Sequence, residues 1–355
     1  MKISVEHVPL DKIPAGVKVW DFTTINDIQT CPKFGYLRRI RGLRPEGREA
    51  PALAAGSAVH KFCAAWNAWP ILAKIPPSAP LSKIIENRLI PDVWTHFDPD
   101  KAQDADEEKR FYSRLEFATS ICEASGFEDY ENDTRRTIAN IVAAGISWAT
   151  NMEHYKTFVG PCDADNDIVV GVEQAFCLKF VIDDMPIYYG GIIDNIRLTK
   201  AGQLQFVDYK TTGMAFRDDE PTNSHQFTGY WLYLAILGQR YDIPLAPSHR
   251  KHKIHIPPLK ASYDSQRSYA IHREERYLTP FFSWLLDGLV KAKMFDGATL
   301  DLVPMYTHSC MRFMRPCMYA AFCDAPIDDQ EAELSEMIED FWSPIPEAAN
   351  SGSRQ

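Results

Sequence analysis

The sequence predicts an α/β protein: a mixed central β-sheet flanked by helices, with a helical insertion before it and a C-terminal cysteine cluster after it. Three observations predict this. Alternating and β-branched residues fill Ile168 to Val181, Ile187 to Leu198 and Leu204 to Thr211. Helical periodicity precedes these runs and returns after them. Three of the eight cysteines crowd into the stretch from Cys310 to Cys323.

In chain order, Asp21-Phe22-Thr23-Thr24 is a helix start, and Cys31-Pro32 falls where that short helix continues or ends. Gly56 to Trp69 reads as a second helix. Residues from 70 to 100 are proline-rich linking structure, and 105 to 158 read as two or three amphipathic helices. The three strands that follow form a meander, turning at Asp183-Asp184 and at Lys200-Ala201-Gly202. A helix from His225 to Leu237, strands near Lys253 to Ile256 and Ser268 to His272, and a helix from Glu274 to Met294 complete the pattern. The expected divisions are an N-terminal segment (1–69), a helical insertion (70–160), a core (161–300), a cysteine segment (301–343) and a disordered tail (344–355).

A chain of 355 residues, 45% apolar and 24% charged, can bury one large core or two modest ones. The opening Met-Lys-Ile-Ser-Val-Glu-His lacks the apolar run of a signal peptide. No later stretch approaches the roughly 18 apolar residues of a membrane span. These features predict a cytoplasmic protein with no membrane partner. In a reducing compartment eight cysteines do not make a disulfide framework, so clustered ones point to metal.

The net charge of −10 argues against a protein that coats nucleic acid nonspecifically, because such binding rests on many cationic contacts to phosphate. It leaves room for a local basic groove. Arg38, Arg39, Arg41 and Arg44 in the stretch Lys33 to Arg44 could supply one, and so could His249-Arg250-Lys251-His252-Lys253; a solvated basic face accounts for either run equally well.

Chemistry concentrates in the second and third strands. Alternation puts Leu204, Phe206, Asp208 and Lys210 on one face and Val207 and Tyr209 on the other. The preceding strand carries Gly190-Gly191-Ile192-Ile193-Asp194, an acid among apolar neighbours. Two aspartates on adjacent strands suit a hard divalent cation such as Mg²⁺, which would offset their repulsion and polarise a phosphoryl oxygen while Lys210 stabilises developing charge. By itself, Asp-x-Lys on a strand is more often a surface ion pair.

Taken in order, these segments resemble the nuclease core of the RecB-like PD-(D/E)XK superfamily. The matching stretches are Gly56-Ser57-Ala58-Val59-His60, then Gly191 to Asp194, then Asp208-Tyr209-Lys210-Thr211-Thr212, then Gln226-Phe227-Thr228-Gly229-Tyr230. The resemblance implies a restriction-endonuclease-like core in which His60, Asp194, Asp208 and the Tyr209 carbonyl bind Mg²⁺ or Mn²⁺ and Lys210 is catalytic. It also implies that Gln226 and Tyr230, one helical turn apart, position DNA or the lysine. Glu173 corresponds to an acid on the first strand of related enzymes, where it would hold a second cation or orient Lys210; an exposed strand carboxylate accounts for it equally well. His60 without its companions would be an ordinary helix histidine.

Cys310, Cys317 and Cys323, with the distant Cys31, could bind zinc or an iron-sulfur cluster, and their spacing does not choose between them. Four small buried hydrophobes are the plain alternative. Many RecB-like nucleases carry one cysteine before the first motif and three at the C-terminus around a 4Fe-4S cluster. The same order here implies such a cluster as a structural staple. The interval from Cys310 to Cys317 departs from the two-residue gap of better-known members. Cys63, Cys122, Cys162 and Cys177 lack comparable spacing and read as core or incidental residues.

The function implied is hydrolysis of DNA phosphodiesters, exonucleolytic, in recombination, repair or phage DNA processing. The DNA would be single-stranded or present duplex ends. No Gly-x-x-x-x-Gly-Lys-Ser/Thr loop is present, so unwinding would need a helicase or recombination partner. Two rival readings are a noncatalytic DNA-end or partner-binding module that keeps the fold, and a zinc-stabilised interaction protein in which Asp208-Tyr209-Lys210 is incidental.

Overall fold

The computed structural model describes residues 3–45, 51–72, 98–102, 104, 106–124, 127, 137–154, 168–182, 184–212, 224–256, 266–295, 302–306, 308, 310–312 and 315–339. Most of the expected linking stretch, Cys162 and the expected disordered tail lie outside the described residues. The strands are β1 (Ile3–His7), β2 (Val19–Trp20), β3 (Leu43–Pro45), β4 (Ile168–Ile182), β5 (Met185–Leu198), β6 (Leu204–Thr212), β7 (His249–His255), β8 (Gln266–Ile271), β9 (Met311–Arg312), β10 (Arg315–Pro316) and β11 (Met337–Glu339). The helices used below are α1 (Phe22–Thr30), α2 (Pro32–Gly35), α3 (Pro51–Leu72), α4 (Glu107–Glu123), α5 (Ile138–His154), α6 (His225–Tyr241), α7 (Leu278–Phe295) and α8 (Ala320–Asp324). No helix among the described residues is long and apolar enough to cross a membrane.

The chain divides into two compact units: Met1–Arg48 with Phe176–Gly191 and Glu274–Gln355, and Glu49–Ala175 with Ile192–Arg273. In the first unit β1 pairs antiparallel with the later part of β4, Ile3 opposite Ile182, and β2 pairs parallel with β5. Phe281 and Phe282 of α7 pack on Phe180 at 6.2 and 5.3 Å between ring centroids. The expected start of α1 is met by Asp21, whose carboxylate accepts from the backbone N–H of Thr23 and Thr24 at 2.9 and 3.2 Å.

In the second unit β5 and β6 are antiparallel, β6 and β7 parallel, and β7 and β8 antiparallel, which gives the mixed sheet that the sequence predicts. α3 is apolar on nearly every face and buries Phe62, Trp66 and Trp69 against Phe117 of α4 and Trp148 of α5. Glycine is required at 145, where a Cβ would lie 2.6 Å from the Phe62 ring. On the opposite sheet face α6 covers Phe206, whose ring stacks on Phe227 at 6.0 Å and on His249 at 4.2 Å.

One expected boundary needs correction. The strand expected from Lys253 begins at His249, so the basic run is a central strand paired on both sides rather than a solvated face. His249, Lys251 and His252 are buried there, and burial pushes both histidines down to about 3, which keeps them neutral. Low β-propensity of charged residues hid this strand; partners on two sides override propensity.

Candidate active site

His60 is carried by α3, and the approach of that helix to the sheet depends on a missing side chain. A Cβ at Gly56 would stand 3.0 Å from Thr211 Oγ1 on β6. One turn later, His60 Nδ1 lies 3.6 Å from Asp194 Oδ1 on β5. Asp194 Oδ2 accepts the Tyr209 backbone N–H at 2.6 Å, which ties β5 to β6 at the point where their ladder opens. Lys210 Nζ donates to Asp208 Oδ1 at 3.0 Å.

Glu173 enters from β4 by an irregular route. Its φ is +48°, a left-handed value rare for a residue with a side chain and costing on the order of 1–3 kcal/mol. In the middle of a strand such a residue breaks the alternation and re-aims its side chain. The ligand atoms of His60, Glu173 and Asp194 consequently lie within 4.8 Å of one another. Asp208 is outside that set and joins through Lys210.

The charges are held unusually. Burial and then the Asp194 charge push Glu173 up to about 8, so at neutral pH it keeps a proton. Burial also lifts Asp208 to about 6, against the pull of Lys210. His60 reaches about 9: burial pulls it down, and the charge and hydrogen bond of Asp194 outweigh that. Asp194 itself goes down, because His60, Lys210 and the Tyr209 N–H together overcome its burial. Lys210 goes up; burial opposes this, but Asp208 and Asp194 prevail. Among the described residues, Glu173 Oε1 and Asp208 Oδ2 are buried with no hydrogen-bond partner. One imidazole nitrogen, several carboxylate oxygens and two oxygens without donors form a donor set suited to a divalent cation.

Gln226 and Tyr230 do share one face of α6. Gln226 Nε2 donates to Tyr230 Oη at 2.7 Å, and Tyr230 Oη donates to the Ile192 carbonyl at 2.6 Å. The pair therefore braces β5 two residues before Asp194. Two further residues escaped sequence reasoning. Asn67, two turns beyond His60, donates to Tyr209 Oη at 2.9 Å and accepts from Arg197 Nη2 at 3.1 Å, joining α3, β6 and β5 by one buried amide. The i, i+7 spacing from His60 was the available signal for Asn67; Arg197 offered none.

The sequence profile of the PD-(D/E)XK nuclease superfamily matches residues 20–324. The chain belongs to that superfamily. No curated protein sequence matches it. Among solved structures it is similar to one titled "Crystal structure of SSO0001", at 15% identity over 61% of this chain and 95% of that one, with a TM-score of 0.29. Superfamily membership makes the protein a nuclease homologue of a class that uses divalent metals, in keeping with the His60, Glu173 and Asp194 grouping.

A second set of ligand-type residues lies in the other unit. Cys31 ends α1, donating its N–H to Asp27 O at 3.0 Å, and precedes Pro32 at the first position of α2. Cys310 and Cys317 are joined by a backbone hydrogen bond of 2.7 Å, and Cys323 lies on α8. All four cysteines are free thiols lining one recess with Phe34, Met305, Tyr319 and Ala320. Burial pushes Cys323 up to about 11; Lys33 acts to lower it, while the other three thiols act to raise it. Cys63, Cys122 and Cys177 are buried free thiols outside this recess, as expected of core residues.

Proposed function

We propose that this protein is an Mg²⁺- or Mn²⁺-dependent deoxyribonuclease that degrades DNA from its ends. The observation that supports the reading is the convergence of His60, Glu173 and Asp194 within 4.8 Å, beside an Asp208 and Lys210 pair in the order of the superfamily's motifs. His60, Glu173, Asp194, Asp208 and the Tyr209 carbonyl would hold the cation. A bound divalent cation supplies Lewis acidity toward a phosphoryl oxygen. Lys210, kept protonated, neutralises charge that develops on the phosphate. Asp208 orients the lysine, and Gln226 with Tyr230 keeps β5 in register.

The exonucleolytic character, and a role in recombination, repair or phage DNA processing, are carried over from the resemblance to RecB-like enzymes. The test is a time course on end-labelled single- and double-stranded DNA in Mg²⁺ and in Mn²⁺. Shortening from an end, abolished by EDTA and by Lys210→Ala, is the expected result. Intact DNA of both kinds in both metals would overturn the reading.

The recess formed by Cys31, Cys310, Cys317 and Cys323 would hold a 4Fe-4S cluster as a structural staple. The four cysteines line one recess, and their one-plus-three order along the chain, the order of the family resemblance, supports this reading. Iron and acid-labile sulfide in purified protein are expected; stoichiometric zinc without iron would contradict the assignment.

A further inference from the structure

Tyr209 is wholly buried, and its parts are held by different elements. Its backbone N–H goes to Asp194 Oδ2 on β5 at 2.6 Å. Its ring meets His60 of α3 edge-on, with centroids 6.1 Å apart and planes at 86°. Trp148 of α5 and His252 of β7 pack against the same ring at 5.3 and 5.8 Å, and Trp148 Nε1 donates to His252 Nδ1 at 3.2 Å. The Tyr209 hydroxyl accepts from Asn67 Nδ2 at 2.9 Å, and the Asn67 oxygen accepts from Arg197 Nη2 at 3.1 Å. Asn67 Nδ2 also donates to the Cys63 carbonyl one turn back at 2.6 Å, so turning the amide over would set two carbonyl oxygens against each other.

α3 therefore meets β6 at three places. Gly56 lies at Thr211, His60 at the Tyr209 ring and Asn67 at the Tyr209 hydroxyl. Spacings of four and seven residues keep all three on one face, and His60 and Asn67 stand roughly 10 Å apart along the axis. His60 sits between the two outer contacts, which resist both rolling and sliding of the helix. A plain packing role does not account for Arg197. It is 4% exposed, and its hydrogen-bond partners among the described residues are neutral amides: Asn67, and Asn195 Oδ1, to which Nε donates at 2.8 Å. Asn195 Nδ2 is left buried with no partner among the described residues. A buried charge held by neutral groups is unfavourable, and apolar residues of like volume would serve stability as well or better. A local rule broken in this way is characteristic of functional sites. What the planar guanidinium adds is direction. It ties Asn195, the neighbour of Asp194 on β5, to Asn67, on the helix that carries His60.

We propose that Asn67, Arg197 and the Tyr209 hydroxyl are a positioning cluster that holds His60 against Asp194 and thereby sets the affinity of the site for a divalent cation. The consequence for the cation rests on the metal-dependent reading above; the hold on His60 does not. None of the three side-chain groups reaches the cation in this scheme, so each acts through the residues it places.

Two measurements on the full chain separate these parts. Calorimetry titrates Mn²⁺ into chelator-dialysed protein, and proton–nitrogen NMR spectra of the metal-free protein at a fixed pH follow the His60 imidazole, assigned by its loss in His60→Ala. Asn67→Ala should weaken Mn²⁺ binding about 10-fold and shift or broaden the His60 signal. Tyr209→Phe keeps the ring and removes only the hydroxyl; it should act in the same direction by a smaller factor, and it keeps the test open if Asn67→Ala does not fold. The double variant should bind no more weakly than Asn67→Ala alone, because both changes break the same hydrogen bond. Arg197→Met separates placement from charge. Removing a nearby cation favours a divalent ion on Coulombic grounds, whereas the cluster predicts weaker binding. Phe117→Leu, which loosens the same core where Phe117 packs on Trp69 at 5.2 Å, should lower Tm and leave both readouts as in the wild type. Unchanged Mn²⁺ affinity and an unmoved His60 signal in Asn67→Ala and Tyr209→Phe, with circular dichroism showing both folded, would overturn the cluster. Tighter Mn²⁺ binding by Arg197→Met, or equal weakening by Phe117→Leu, would also overturn it. A wild type that takes up no Mn²⁺, with a His60 signal that still moves in the variants, would keep the hold on His60 and remove the metal-dependent reading.

Discussion

The two ligand-bearing regions differ in how they bring their groups together. In one unit, atoms from α3, β4 and β5 are brought within 4.8 Å, at the cost of a left-handed Glu173 and of two buried oxygens without donors among the described residues. In the other, four soft thiols line one recess, with ordinary helix and turn hydrogen bonds around them. The first arrangement is unfavourable until a cation arrives; the second joins residues about 290 positions apart in the chain, so a group bound there would act mainly on stability. On the proposed reading, chemistry and stapling fall to separate units, and perturbing each should give different signatures.

The largest expected effect is on turnover. Lys210→Ala should lower cleavage about 10³-fold, the scale of losing one charge-stabilising group in a buried site, while thermal unfolding stays close to that of the wild type. Cys31→Ser or Cys323→Ser should do the reverse. Loss of iron should lower Tm on the order of 10 °C, by analogy with opening a long cross-linked loop, and the remaining folded protein should still cut. If both kinds of variant lost activity and stability together, the separation of roles would fail.

Glu173→Gln sharpens the comparison further. Divalent-metal affinity, read by calorimetry, should drop about 10- to 100-fold. The metal-free variant should also lose part of an unusual pH dependence. Glu173 at about 8 and Asp208 at about 6 both exceed their ordinary carboxylate values, so the folded state binds more protons than the unfolded one. His60, raised from 6.5 to about 9, acts in the same direction. Below pH 6.5 the buried, neutral His249 and His252 act the other way, because the unfolded chain binds protons there that the folded one does not. The fall in stability of the metal-free protein should therefore show as pH rises from about 6.5 through about 9. Saturating Mn²⁺ should flatten that decline by displacing the protons, and a Tm that instead rises across this range without metal would contradict the electrostatic account. The smallest effect is expected of Tyr230→Phe, which removes the hydroxyl between Gln226 and Ile192: about 1–2 kcal/mol of stability and a few-fold in rate.

Much of this was legible in the sequence where a local rule was strong. Asp21 caps α1 as read, the three-strand meander falls within a few residues of its expected bounds, and His60 and Asp194 meet at 3.6 Å as their motif order implies. What was hidden depends on tertiary partners. The strand β7 carries His249 to His255, a composition that reads as surface until β6 and β8 pair with it. Glu173 was open between ligand and exposed carboxylate, and the backbone inversion that buries its Oε1 leaves no trace in residue types. Asn67 and Arg197 are chemically unremarkable in sequence; only the crossing of α3 over β5 and β6 makes them one network.

The most direct test measures cleavage of end-labelled DNA by chelator-dialysed protein, before and after Mg²⁺ or Mn²⁺ is restored, with iron quantified in the same sample. The account predicts retained iron, no cutting after dialysis, and full recovery on adding the divalent cation. Cutting that persists without the added cation, or that tracks iron content instead, would contradict it.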